Sequence, residues 1–303
     1  MRSAFADGCF RKLCACSIIF VATGLFVAAD LFVAAGLSAT TIHPVLVESH
    51  ITNTDMIYEI SKFRSGAGHD FSYDGMSYAG EYFGATDATE PDSSMKHYYV
   101  PYLAYKGDRV TVPIYAPFDG TIVRVTEEVH PDDASIINKR LEITSADNSD
   151  YAVVLFHVNL DNAFPQILND WPAALWPAHQ PDDPSYTTDT VSAGDFLGYA
   201  DMRIANDFDV AVLYSVSASE KYWVTFYDLM PDSLFDSYEN RGASREDMSF
   251  SKAERLADPV TWWGSRNNDD WLTLNQIPEH SSFALMITTV LLLAANNARR
   301  RRC

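Results

Sequence analysis

One short stretch of the chain groups side chains of the types that bind metal ions. The sequence "SGAGHDFSYD", residues 65–74, places His69, Asp70 and Asp74 in a glycine-rich turn. Imidazole nitrogen and carboxylate oxygen are both common ligands of divalent cations such as Zn²⁺. The same residues also fit a turn that contains one structural histidine, so the stretch alone leaves both interpretations open.

The elements that must position this turn are mostly β-strands. Apolar and polar residues alternate in "RVTVPIYAPFDGTIVRVTEEV", which predicts two strands joined by a hairpin turn at Asp119–Gly120. A second pair is predicted around Asp147–Asn148, and "TVSAGDFLGYA" predicts two short strands with a glycine turn between them. Residues 161–190 are rich in Pro, Asp and Trp, which indicates a long loop.

Four segments occur in an order that resembles the lysostaphin/LytM-type zinc metallopeptidases. They are "SGAGHDFSYD", "APFDGTIVRV", "LFHVNL" and "VSAGDFLGYADMRIANDFDVAV", and they cover roughly residues 64–214. That family has a His-x-x-x-Asp motif, an Ala-Pro-x-x-Gly-x-Val hairpin, an aromatic-x-His-Leu segment, a glycine turn and a final His-x-His. The resemblance implies the duplicated hybrid motif, a β-sandwich barrel. Together with the alternation, it leads us to expect a mostly β fold with long loops and a small, partly helical C-terminal extension.

The resemblance also implies a role for each matching residue. His69 corresponds to the first metal-ligand histidine of the family. The carboxylate expected four residues later is displaced, because Asp74 lies five residues on and Asp70 is adjacent. We take Asp74 as the first choice for this ligand and Asp70 as the second. His157 in "LFHVNL" corresponds to the histidine that orients water or stabilises the developing oxyanion.

The final His-x-His of the family is replaced by Asp207-Phe208-Asp209. Asp209 would take the place of the second ligand histidine, and Asp207 that of the catalytic histidine. His69, Asp74 and Asp209 would still give three ligands to zinc with an open fourth position. Such a site is more anionic, which favours Mn²⁺, Mg²⁺ or Ca²⁺ and weakens the metal as a Lewis acid. An active peptidase, a metal-binding domain without peptidase activity, and a domain without metal all remain open.

His97 in "SSMKHYYVPY" offers one further candidate ligand. It could supply a nitrogen in place of the lost histidines, or it could be a structural histidine bonded beneath the neighbouring tyrosines. Trp262 and Trp263 are similarly open to two readings, since they could line a sugar or peptide groove or could cover the core.

The charge of the chain limits its partners. The formal net charge is −19, and several of its basic residues lie at the two ends, so the middle is strongly acidic. Such a surface repels nucleic acid and anionic lipid, and it suits cations and neutral or basic partners. All four cysteines lie in the terminal segments, which excludes a thiolate zinc site and a cysteine nucleophile in the body.

Both ends of the chain resemble targeting signals. Arg11 and Lys12 precede an apolar run that ends in small residues, as in a secretory signal peptide, and an uncleaved membrane anchor is the alternative. Near the C-terminus, Pro278-Glu279, a short apolar stretch and four arginines resemble the PEP-CTERM sorting signal of Gram-negative bacteria, although His280 stands where a second proline is usual. A short membrane anchor is the alternative for this tail.

These features divide the chain into four parts. We expect a leader at 1–42, a LytM-like β domain at 43–221, a C-terminal extension at 222–277 and a sorting or anchor segment at 278–303. Two short helices are expected in the extension, with Asp232 and Ser251 as their N-caps.

The expected function follows from these parts together. We expect an exported protein of the cell surface, extracellular matrix or periplasm that meets the sorting machinery at the membrane. Its altered site, with Zn, Mn or Ca as the cation if one is held, would bind cell-wall peptide or exopolysaccharide without cleaving it. The alternative is an active metalloendopeptidase, a peptidoglycan hydrolase with an atypical His/Asp metal site.

Overall fold

The segments in which apolar and polar residues alternate form β-strands in the computed structural model of the protein. The structure describes residues 43–72, 77–78, 81–82, 84–105, 112–130, 133–160, 185–203, 206–263 and 268–276. The chain divides into two compact units, Met1–Ile42 and His43–Cys303, and the described residues all belong to the second. The expected leader, the C-terminal sorting segment and Asp74 lie outside the described residues.

Eleven strands form one antiparallel sheet, and two more form a separate ribbon. The strands are β1 Ile57–Ser61, β2 Ser77–Tyr78, β3 Glu81–Tyr82, β4 His97–Pro101, β5 Pro113–Tyr115, β6 Gly120–His130, β7 Asp133–Ser145, β8 Tyr151–Leu160, β9 Ser185–Val191, β10 Phe196–Ala200, β11 Phe208–Ser217, β12 Glu220–Val224 and β13 Trp271–Thr273. The two described α-helices are α1 Asp232–Glu239 and α2 Lys252–Ala257.

The strand order of the sheet is β13-β1-β4-β11-β8-β7-β6-β9, with β10 bridging β5 and β8 and with β12 beside β11. The mostly β class is therefore confirmed. Within the described residues the sheet is not closed into the expected barrel, because its path ends at β13 and β9 and these two strands do not pair.

The pairing of the strands departs from the sequence prediction at one turn. β7 and β8 pair around Asp147–Asn148 as predicted. The hairpin predicted at Asp119–Gly120 is wrong, because β5 pairs with β10 while β6 pairs with β7 and β9. Gly120 instead permits a close approach between strands, since a Cβ there would lie 2.5 Å from the carbonyl oxygen of Thr144.

The central strands β8 and β11 bury both of their faces. Val153 and Leu155 face the main core, whereas Val154 and Phe156 face a smaller group on the opposite side of the sheet. A strand whose two faces are both buried has a continuous run of hydrophobic residues in its sequence. We call the smaller group the second cluster; its members are Phe63, Phe71, Ala85, Met95, Val154, Phe156, Ala211, Leu213 and Trp223.

The described part of residues 222–276 adds to the same sheet. β12 pairs with β11, and β13 pairs with β1. α2 begins at the predicted N-cap, where the Ser251 hydroxyl accepts from the Glu254 N–H and the Glu254 carboxylate accepts from the Ser251 N–H. α1 begins one residue away from the prediction, with Pro231 as its N-cap in place of Asp232.

A buried arginine joins this C-terminal part to the first strand. Arg241 is 1% exposed, and its Nε donates to the carbonyl oxygen of Asn275 at 2.8 Å. Its Nη2 donates to the carbonyl oxygen of Ile57 at 2.7 Å, and its Nη1 donates to that of Thr54. A guanidinium presents five N–H donors in a fixed plane, so one side chain satisfies backbone groups from two distant segments.

We expect Arg241→Met to destabilise the protein strongly. The substitution keeps the aliphatic volume but removes the guanidinium from two buried carbonyl oxygens, those of Thr54 and Ile57, and from that of Asn275. Each buried acceptor that loses its donor costs about 1 to 3 kcal/mol. The free energy of unfolding, measured by urea denaturation, should fall by about 3 kcal/mol or more. Lys252→Met is the matched control, because Lys252 is 33% exposed in its ion pair with Asp87 and should lose less than about 1 kcal/mol. Equal losses for the two variants would contradict this account.

Candidate functional site

The pairing of β4 with β11 brings a lysine and an aspartate together on one face of the sheet. Asp209 lies directly opposite Tyr98 in the register. Lys96 precedes Tyr98 by two residues, and residues two apart along an extended chain point to the same side. The Lys96 Nζ lies 2.8 Å from the Asp209 Oδ2, with the two side chains 4% and 0% exposed. The pair therefore stands almost entirely out of water.

Aromatic rings enclose the ammonium group of Lys96. Its Nζ lies 3.8 Å from the ring centroid of Phe156, 4.2 Å from that of Phe71 and 5.7 Å from that of Tyr98. The negative faces of aromatic rings attract a cation at such distances, most strongly where water is absent. The second cluster thus provides two ring contacts, Tyr98 provides a third, and Asp209 provides the counter-charge.

His157 reaches the same carboxylate from β8 because its backbone is unusual. Strand alternation would place it on the side of Leu155, but its φ of 58° interrupts the alternation. Its Nε2 lies 3.3 Å from the Asp209 Oδ1. Its Nδ1 lies 3.2 Å from the Nδ2 of Asn138, which is fully buried. An Asn138 amide that donates to Nδ1 leaves the ring proton on Nε2, where it faces Asp209.

The turn that carries His69 packs against the ring of Tyr98. Gly68 has φ 68°, and a Cβ there would lie 2.3 Å from the Tyr98 hydroxyl oxygen, so only glycine fits. The exposed His69 donates through Nδ1 to the carbonyl oxygen of Asp70 at 2.8 Å. Partial burial in the turn lowers the pKa of His69 and the ammonium of Lys96 lowers it further, while Asp209 acts in the opposite direction. His69 is thus within electrostatic reach of the Lys96–Asp209 pair.

The two remaining carboxylates occupy different positions. Asp70 holds the turn, since its Oδ1 accepts from the N–H and the hydroxyl of Ser72 at 2.9 and 2.7 Å. It also accepts from the Ser93 N–H at 3.3 Å. Asp207 is half-buried at the edge of the site. Burial raises the pKa of Tyr98, and the charges of Asp209 and then Asp207 raise it further.

The site therefore combines predicted residues with residues that the sequence analysis missed. Of the predicted residues, His157 contacts Asp209, His69 and Asp207 lie within electrostatic reach of the same region, and Asp70 is engaged in the turn. Lys96 and Asn138 were missed. A usable signal existed for Lys96, because alternation in "MKHYYV" places Lys96 and Tyr98 on one face and His97 on the other.

The arrangement of these residues does not fit a divalent cation. Among the described residues, no group of three or more His, Cys, Asp or Glu side chains is placed to hold a metal ion. The two oxygens of Asp209 face Lys96 and His157. A metal ion on Asp209 would have to displace an ammonium that is enclosed on several sides. Zinc, manganese and calcium all meet the same obstacle.

His97 is a structural residue of the main sheet. Its Nδ1 donates to the carbonyl oxygen of Ser61 at 2.9 Å, and its Nε2 accepts from the Thr225 hydroxyl at 2.8 Å. Both ring nitrogens are therefore engaged, and the side chain is 1% exposed. Burial lowers the pKa of His97 to about 4. These bonds favour the structural reading over the ligand reading.

Comparison with known proteins adds no assignment: no family model, no curated protein and no solved structure matches the chain. Among the described residues, no helix is both long and apolar enough to cross a membrane.

We expect His97 to make the protein sensitive to acid. The unfolded chain binds this proton near pH 6.5 and the folded protein only near pH 4, so stability that is present above pH 6.5 falls as the pH approaches 4. The loss attributable to His97 should reach about 3 kcal/mol.

Denaturant unfolding between pH 7 and pH 4 measures this loss. His97→Gln, compared at each pH with the wild type, should show a flatter dependence. His43→Gln is the control, because it keeps His97 and should keep most of the acid-induced loss. The same slope for wild type and His97→Gln would refute this assignment.

Proposed function

We propose that the chain is a non-hydrolytic binding domain of an exported envelope or matrix protein, and that it holds cell-wall peptide or polysaccharide at the site around His69. One observation carries the proposal. The enclosed ammonium of Lys96 occupies the position that a metal ion on Asp209 would take. The order of the sequence segments and the mostly β fold support a peptidase-like ancestry for this site.

An ammonium cannot replace the metal in the chemistry of hydrolysis. A catalytic metal has an open coordination position, where it binds water and lowers the pKa of that water. The nitrogen of an ammonium already has four bonds and has no empty orbital for a water oxygen. Lys96 can therefore neutralise Asp209, but it cannot generate a bound hydroxide.

An exposed tryptophan supports a binding role at the rim of this site. Trp262 is 71% exposed. Its carbonyl oxygen lies 3.2 Å from the position of a Cβ on Gly66, in the turn that leads to His69. Exposed indole rings stack on the apolar faces of sugars and on peptide groups. A ligand that spans Trp262 and His69 would lie across the mouth of the site.

Metal content and hydrolysis distinguish this proposal from the active metalloendopeptidase. We expect the purified protein, after exposure to zinc, manganese or calcium and removal of excess ion, to hold no stoichiometric metal by mass spectrometry. We also expect it to release no fragments from peptidoglycan. Stoichiometric metal together with cleavage that is lost in His69→Ala would overturn the proposal in favour of the peptidase.

Co-sedimentation with insoluble peptidoglycan, and with exopolysaccharide, tests the binding role. Trp262→Ala should weaken retention by about two- to twelvefold, because one lost stacking contact is worth about 0.5 to 1.5 kcal/mol. Leu103→Ala is the control, since Leu103 is an 85% exposed apolar residue beyond the opposite end of β4. No retention of the wild type on either material, or equal loss in both variants, would reject the binding site proposed here.

A further inference from the structure

We propose that the side chains of Lys96 and Asp209 join in an intramolecular amide bond, a covalent cross-link between the chain at β4 and strand β11. The Lys96 Nζ lies 2.8 Å from the Asp209 Oδ2, and the carboxyl carbon is one bond beyond that oxygen. A nucleophile held this close to its electrophile has a large advantage over the same groups free in solution. This inference stands apart from the proposed binding function, since it needs no ligand, and an amide at Asp209 would exclude a metal ion from that carboxyl group as the ammonium does.

The surroundings of the pair favour condensation. Phe156 and Phe71 cover the ammonium at 3.8 and 4.2 Å, and Asp209 is fully buried. Neither Asp209 oxygen has a hydrogen-bond partner of standard geometry within the described structure, although Lys96 and His157 nitrogens lie close by. A buried ion pair without such bonds recovers little of its desolvation cost. Conversion to a neutral amide removes both charges, and the water released can leave an apolar site.

The fold holds the two groups in place for this reaction. Asp209 pairs in register with Tyr98, so the antiparallel ladder fixes the Lys96 and Asp209 backbones relative to each other. Diagonal neighbours on one face of two paired strands lie within reach of a long side chain. The lysine stem spans this diagonal without any rearrangement of the strands.

His157 is placed to move the protons. Its Nε2 lies 3.3 Å from Oδ1, the carboxylate oxygen that Lys96 does not contact. The ammonium first gives one proton to Oδ2, and the nitrogen lone pair of the resulting amine attacks the carboxyl carbon. His157 gives its Nε2 proton to Oδ1 and recovers one from the attacking nitrogen, which leaves a neutral tetrahedral intermediate with two hydroxyl groups. The proton of the Oδ2 hydroxyl then passes to Oδ1 through His157 in the same way. The bond from carbon to Oδ1 breaks, the oxygen leaves with its electron pair as water, and Oδ2 becomes the amide carbonyl oxygen.

The reaction is balanced without any other reagent. An ammonium and a carboxylate become one secondary amide and one water molecule, and no atom changes oxidation state. The cross-link would close a loop of roughly 110 residues. The chain has no cysteine between Cys16 and Cys303, so disulfides cannot supply such a link in the body of the protein.

Mass spectrometry of the full-length purified protein tests the proposal. Trypsin does not cut after an acylated lysine, so the linked protein should yield a branched peptide that joins residues 65–106 to residues 204–221. Its mass should be one water less than the sum of its two parts, and fragmentation should place the link at Lys96 and Asp209. Quantitative recovery of separate peptides 65–96 and 204–221 from the folded wild-type protein would overturn the proposal.

Lys96→Arg is the matched variant, because arginine keeps the positive charge but its guanidinium is a poor nucleophile. It should give no branched peptide, and its melting temperature should be lower by on the order of 10 °C. An aspartyl-glycine sequence such as Asp119–Gly120 can also lose water, by cyclising on its own backbone. That loss would persist in Lys96→Arg and would produce no branched peptide, so the two are distinguishable.

His157→Ala tests the proton transfer. Removal of a positioned acid–base group slows such a step by roughly a hundredfold or more. The branched peptide should therefore accumulate much more slowly after synthesis in this variant, while Lys96 and Asp209 remain in place. Formation at the wild-type rate would overturn the role given to His157. If the variants fail to fold, the wild-type peptide map alone still decides the main question.

Discussion

The site depends on one buried ion pair, in which an ammonium and a carboxylate are both shielded from water. A buried charge is tolerated only beside its partner, and Lys96 and Asp209 belong to different segments of the chain. Their contact therefore requires one register of β4 on β11, since a shift by one residue would turn one of the two groups to the opposite face. The Gly68 turn brings the segment with Phe71 over the pair, and β8 supplies Phe156. Each of these elements is needed at its observed position for the pair to stay dry.

The sequence predicted the strands better than their partners. Alternation located β6, β7, β8 and β10, because the alternation of side chains along a strand is a local property. Alternation gave the wrong strand partner at Asp119–Gly120. The strand β5 pairs with β10, which lies much later in the chain, and no local pattern indicates that pairing. The site shows the same limit. Segment order placed His157 and Asp209 near His69, but the burial of Lys96 depends on a carboxylate more than a hundred residues away. The φ of His157, which turns its ring to Asp209, has no local sequence signal.

If the proposed relationship to the metallopeptidases holds, the aspartate at position 209 and the lysine at position 96 have a common explanation. A neutral histidine at position 209 could serve a metal ion, whereas an aspartate there, once buried, requires a partner for its charge. Lys96 supplies that partner from within the chain, first as an ammonium and then, in the inference above, as the nitrogen of an amide. The loss of the histidine and the presence of the lysine are then two parts of a single exchange. A metal ion that had to be acquired from solution is replaced by a side chain of the protein itself.

The edge of the sheet depends on residues far apart in sequence. β1, near the start of the described chain, lies between β4 and β13, and Arg241 ties its first carbonyl groups to Asn275. A nascent chain on the ribosome that has not yet released residues 241–275 would leave the β1 edge unpaired and its carbonyls without the guanidinium. Unpaired strand edges of this kind are sites of wrong association. The β1 edge can therefore be completed only once this region has been translated, and we expect a chain truncated before Trp271 to be more prone to aggregate.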